Sequence, residues 1–266
     1  WSEELTEMKF GEYMGSADWQ HGEIGLEIET EASGPYTYVK GIEEYWGLQP
    51  DGSLRHNGLE YIFRRPYDYQ SARYNAALNI FEEQTKLAPF IKSNYSSVHV
   101  HLNMMDKETV HMINFFVLYF LFEEFLTEYC GPLRNGNLFC LKTSVAELVY
   151  KTVRDMASAI AFGDGANFIR NLNQGLLKYS GINAVPLRTL GSAEVRTHPG
   201  TVSRVEIERW IGILYKIYKR ADMYENPVEI INRLHGYKSK AAFIELHFQE
   251  FTSFLNLNNV SEKMED

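Results

Sequence analysis

Four short stretches of this chain alternate charged with apolar side chains at a period of two, a period that fits a half-buried β-strand and no helix. They are residues 23–30 (EIGLEIET), 58–63 (GLEYIF), 97–103 (SVHVHLN) and 193–198 (AEVRTH). Successive side chains of a strand leave opposite faces, so Glu27 and Glu29 share one face while Leu26 and Ile28 share the other. The same rule groups His99, His101 and Asn103 opposite Val98, Val100 and Leu102, and groups Glu194, Arg196 and His198 opposite Val195. Glu60, between Leu59 and Tyr61, also leaves the apolar face. A sheet built from these strands has one apolar face, and on the other four carboxylates, up to three histidines and at least one arginine.

Between the strands the apolar period lengthens. Residues 71–87 read as a helix ended by Pro89, with Ala76, Ala77, Ile80 and Leu87 on its buried stripe. A long helix is expected from the N-cap candidate Asp106 to Tyr129, with Phe115, Phe116, Tyr119, Phe120 and Phe122 in the core. Its unbroken apolar run, Phe115 to Phe122, is far shorter than the roughly 18 residues of a membrane span. Ser144 to Ile160 reads as a further helix through Val145, Leu148, Val149 and Val153. Lys178 to Asn183 reads as a short strand, and residues 204–257 as helical with a break at Asn226-Pro227. Such an order lacks regular βαβ alternation, which predicts an α+β fold with a mostly antiparallel sheet and helices on its apolar face. No linker divides the chain, so one domain over 1–266 is expected, with the motif-bearing core at about 23–215.

Composition narrows the partners. The net charge of −9 repels nucleic acid and anionic lipid. Cys130 and Cys140 lack any CxxC or paired-His context, which suits reduced thiols and a cytoplasmic location. There is no GxxxxGK loop and no GxSxG elbow, and Gly163-Asp164-Gly165 reads as a turn, not a dinucleotide loop.

Any one of the polar patterns has a plain explanation: ExE on a strand is commonly a solvated face, and ExR a local ion pair. Four segments with the same one-sided polarity change that balance. Carboxylates gathered at close range cannot all stay ionised without a neutralising cation. An oxygen-rich set with about one imidazole per ion suits Mg²⁺ or Mn²⁺ better than Zn²⁺, and two ions fit four glutamates. Arginines beside such ions suit phosphate chemistry, because a guanidinium grips phosphoryl oxygens bidentately.

Read in order, Gly25-Leu26-Glu27-Ile28-Glu29, Asp51-Gly52-Ser53 leading to Gly58-Leu59-Glu60, His99-Val100-His101-Leu102-Asn103, Gly181-Ile182-Asn183 and Ala193-Glu194-Val195-Arg196 resemble the motifs of the amidoligases. These belong to the carboxylate-amine ligase superfamily, with glutamine synthetase and glutamate-cysteine ligase. The resemblance runs from about residue 23 to about 215 and implies a glutamine synthetase-like sheet whose concave polar face holds ATP and two or more Mg²⁺ ions. It implies that Glu29 and Glu60 hold one ion, and Glu27, His99 and Glu194 the ion nearer the nucleotide. His101 would lie by the transferred phosphoryl group, with the assignment between His99 and His101 left open. Arg188 and Arg196 would contact phosphate or acyl phosphate, with Asn103 and Asn183 beside the nucleotide. Arg64-Arg65-Pro66 departs from the small residue that often precedes this proline in the family, and residues 139–177 match none of its motifs.

The function so implied is an ATP- and Mg²⁺-dependent ligase that joins a small-molecule or peptide carboxylate to an amine through an acyl phosphate. A loop must then cover the site, for which Gly34 to Gly58 is the expected segment. The rival readings are a binding or assembly module of the same fold that has lost catalysis, and a metal-dependent phosphotransferase working from the same patch.

Overall fold

The structure, a computed structural model, describes residues 8–15, 20–135, 137, 140–143, 147–172, 178, 180–237 and 240–249. Seven strands form one antiparallel sheet: β1 (Ile24–Ala32), β2 (Trp46–Pro50), β3 (Leu59–Phe63), β4 (Phe90–Ile91), β5 (Ser97–Asn103), β6 (Ile182–Asn183) and β7 (Ser192–Pro199). Their order is β2-β3-β1-β5-β7-β6, with β4 paired to the end of β1. The helices are α1 (Phe10–Tyr13), α2 (Ala72–Leu87), α3 (Thr109–Cys130), α4 (Glu147–Ala161), α5 (Gly165–Leu172), α6 (Arg204–Arg220), α7 (Pro227–His235) and α8 (Lys240–His247).

The α+β class with an antiparallel sheet is therefore present, and alternation decides which face does what. Leu26, Ile28, Tyr61, Val98, Val100, Leu102 and Val195 all enter one hydrophobic cluster. α3 lies on the β7 side of that cluster, where Tyr119 Oη meets Thr197 Oγ1 at 2.9 Å. By length and composition α3 could cross a membrane, yet 78% of its apolar window is buried inside the protein. Under β2 and β3, α2 is fixed by Trp46, whose Nε1 donates to the Ala77 carbonyl at 2.9 Å and whose ring packs on Phe81.

Several expectations are corrected. The buried side of α2 carries Tyr74, Ala77, Leu78, Phe81 and Gln84, and Leu87 is 53% exposed, because packing against Trp46 and Tyr61 rotates the stripe by a few positions. Asp106 does not cap α3; it faces His21 at 3.4 Å, and the Thr109 amide bonds to the Met8 carbonyl instead. The strand expected from Lys178 shrinks to Ile182–Asn183, with Ser180 in an isolated bridge to Leu141. Gly34 to Gly58 is no free loop, since it contains β2, and Trp46 there is buried. Asn226 and Pro227 do mark a break, as N-cap and first residue of α7. Ser144, Val145, Tyr179 and the chain beyond residue 249 lie outside the described residues, as do the side chains of Leu148, Val149 and Val153.

Candidate active site

The register of β1 against its neighbours assembles the polar face. Glu27 stands opposite Ile62 of β3 and His99 of β5, and Glu29 stands opposite Glu60. Across β5 and β7, His101 faces Glu194, which in turn faces Asn183 of β6. Gly25 faces His101, and a Cβ there would lie 2.9 Å from the His101 Cβ, so the imidazole has room only because this position lacks a side chain.

This face is not a solvated one. Glu29, His99, His101 and Glu194 are buried, Glu29 to 8% exposure, and Glu27 and Glu60 are half-buried. His99 Nδ1 lies 3.2 Å from both Glu27 Oε2 and Glu194 Oε1, and His101 Nε2 lies 3.1 Å from Glu27 Oε1. Two sets of converging ligand atoms result, each within 4.8 Å: Glu27, Glu60 and His99, and Glu27, His101 and Glu194. Glu27 belongs to both. Glu29, expected to share an ion with Glu60, joins neither set; its Oε2 accepts a 2.6 Å hydrogen bond from Ser97.

The electrostatics are those of a cluster short of positive charge. Two carboxylates 4–5 Å apart repel by about 3–4 kcal/mol at an effective dielectric near 20. Burial, together with the charges of Glu27, Glu29 and Asp51, pushes Glu60 up to about 8. For Glu27, burial works upward but hydrogen bonds and charge from His101 and His99 outweigh it and hold the acid well below its ordinary value. His101 is raised: burial opposes its charged form, and the Glu27 carboxylate more than compensates. Two carboxylates with one imidazole in each set fit a hard or borderline divalent ion, Mg²⁺ or Mn²⁺.

The other expected residues divide. Arg196 reaches the cluster, with Nε 3.3 Å from Glu194 Oε1 and a guanidinium nitrogen bonded to the Lys178 carbonyl. Asn183 holds Glu194 through a 2.6 Å hydrogen bond and accepts from the Val185 amide, so its polar atoms are engaged within the fold. Asn103 is engaged likewise: it donates to the carbonyls of Gln20 and Gly22 and accepts from the Met105 amide. Arg188 is exposed and does not touch the cluster; it stands on the rim of the neighbouring cavity. His198 leaves the group altogether. The two-residue step from Val98 to Val100 faces a three-residue step from His198 to Val195, a bulge that turns His198 to the apolar face. There its ring lies 5.3 Å from Trp210, and burial lowers its basicity.

Beside the cluster lies a cavity of about 460 Å³, lined by Glu27 and His101 at one end and by Arg64, Arg65, Pro66 and Leu187–Ser192 elsewhere. These segments, and not Gly34 to Gly58, wall the cavity, although Asp51 of the latter lies near enough to Glu60 to raise it. Ser97, Ser192 and Arg134 are the participants that the sequence reading missed. Ser97 and Ser192 share the parity of His99 and Glu194 and were open to discovery by the same rule. Arg134 gives no local signal: it comes from the turn after α3 and donates to the carbonyls of Thr197 and Arg196, which the bulge frees. Compared with known proteins, the sequence matches no family model and no curated protein, so the site is interpreted from its own geometry.

Proposed function

We propose that this protein is an ATP- and Mg²⁺-dependent carboxylate-amine ligase, which activates a small-molecule or peptide carboxylate as an acyl phosphate and transfers the acyl group to an amine. The observation that carries this reading is the convergence of Glu27, Glu60, His99, His101 and Glu194 from four strands into one buried cluster bordering an arginine-rimmed cavity. Glu27, Glu60 and His99 would hold one cation, and Glu27, His101 and Glu194 a second. Divalent ions there would offset the charge that develops on the transferred phosphoryl oxygens.

The rest falls to the protein's own groups. Arg196, oriented by Glu194 and the Lys178 carbonyl, is aimed to meet an anion next to the cluster. Arg64, Arg65 and Arg188 draw a second anionic group into the cavity, which suits the acid substrate or the tail of the nucleotide. Leu187, Leu190, Met14 and Met105 make part of the wall apolar, which limits water around an acyl phosphate.

The test is ADP release with Mg²⁺, ATP and pooled carboxylates and amines, in the wild type, Glu27→Gln and Arg196→Ala. Each variant is expected to lose at least about 100-fold, the cost of removing one preorganised charge-stabilising group. Equal turnover in all three proteins would sink the site assignment. Amide equimolar with ADP is the ligase outcome; a phosphorylated product without amide would replace the reading with phosphotransfer, and no ADP at all would replace it with a binding module.

A further inference from the structure

Glu29 is a buried acid on the polar face that belongs to neither set of converging ligand atoms, and its surroundings say what it does instead. Its Oε2 accepts a 2.6 Å hydrogen bond from Ser97 Oγ, the same Oγ lies 2.7 Å from His99 Nε2, and Glu29 Oε1 itself lies 3.7 Å from that nitrogen. A serine hydroxyl has one proton to give. With that proton directed at Glu29, Ser97 can only accept from the imidazole, so the hydrogen between them sits on His99 Nε2. The nitrogen left to face the cluster is Nδ1, 3.2 Å from Glu27 Oε2 and 3.2 Å from Glu194 Oε1. Nδ1 and these two carboxylate oxygens converge, so a cation placed between the three would be ligated by all of them. His101 presents its other nitrogen to the cluster, with Nδ1 3.0 Å from Ser192 Oγ and Nε2 3.1 Å from Glu27 Oε1.

We infer that Glu29 and Ser97 form a positioning pair that fixes His99 with Nδ1 toward the cations, Glu29 acting through the Ser97 hydroxyl and through its own charge beside Nε2, and that Glu29 is not itself a cation ligand. The inference rests on the cation-binding part of the proposed function. It assigns the ligand nitrogens, Nδ1 of His99 and Nε2 of His101, and leaves both histidines as ligands. Partners of this kind, behind a metal-bound imidazole, fix its orientation and tautomer, and their loss typically weakens metal binding about 10–100-fold.

The experiment uses the full chain with ¹⁵N-labelled histidine. Long-range ¹H–¹⁵N spectra are recorded without metal and with Mg²⁺, and Mn²⁺ is titrated calorimetrically into the wild type, Ser97→Ala, Ser97→Thr, Glu29→Gln and Glu60→Ala. The positioning pair requires a slowly exchanging proton on His99 Nε2 in both wild-type spectra. Ser97→Ala should lose that proton signal and bind Mn²⁺ about 10–100-fold more weakly with the same number of ions per chain, and Ser97→Thr, which keeps the hydroxyl, should restore both. Glu29→Gln should keep the full number of ions, whereas Glu60→Ala should bind one fewer. A bare Nε2 in the wild type, an ion lost in Glu29→Gln, or a Ser97→Ala protein unchanged in both readouts would overturn the positioning role. A wild type that binds no Mn²⁺ would overturn the proposed function instead, and the Nε2 proton of the metal-free protein judges the positioning role separately from it.

Discussion

Glu123 shows what one buried acid does away from the site. It lies on α3, and its Oε2 accepts from the Thr143 amide at 2.9 Å and from the Thr143 hydroxyl. Oε1 is buried with no hydrogen-bond partner among the described residues. Burial pushes the acid up to about 7 from its ordinary 4.5, against the Thr143 hydrogen bonds that favour the carboxylate. Between those two values the folded chain binds a proton that the unfolded chain has released, so this group's contribution to stability falls as pH rises through the window from 4.5 to 7. Glu123→Gln, which keeps the acceptor for Thr143 and cannot ionise, should gain stability over the wild type as pH is raised from 5 to 8. Urea melts at a series of pH values measure it; a difference that stays flat would refute the assignment.

At the scale of the element, β7 carries the instructive departure. Its bulge separates Arg196, which points to the cluster, from His198, which points to Trp210, and Arg134 ties the freed carbonyls. Arg134→Ala should therefore cost about 2–3 kcal/mol, the price of buried carbonyls left without a donor, as read from denaturant midpoints. A cost below about 0.5 kcal/mol, the range of plain surface substitutions, would show that the clamp is dispensable. The strands themselves were legible because alternation within a strand is a local property: 97–103 stands as read, and Glu27, Glu60, His99, His101 and Glu194 share a face as their parity requires. The bulge was not legible, since it arises from pairing with β5 and from an arginine some sixty positions away. Nor were the roles of Asn103 and Asn183, whose parity is right but whose hydrogen bonds are spent on backbone and on Glu194. β2 escaped notice because an edge strand of five residues that ends in proline has too few alternations to register.

Across the whole molecule the net charge is −9, and three arginines at the cavity rim set positive charge beside the acidic cluster. An anionic substrate of the proposed reaction would be repelled at a distance unless it arrived with cations, and would meet positive charge only at the rim. Mg²⁺ with ATP should accordingly raise the Tm of the wild type, reporting the roughly 3 kcal/mol of stabilisation that a ligand at 100 times its Kd supplies. The same addition should raise that of Glu194→Gln much less. Equal shifts in the two proteins would separate nucleotide binding from this cluster. Glu27 stands in both sets of ligand atoms, and a carboxylate held in common makes the two positions rivals. If both positions take cations as proposed, the first to arrive would spend the shared charge and confront the second at short range, so filling should proceed in order, with a strong step and then a weak one, and a cell's magnesium level would decide whether the second seat is taken.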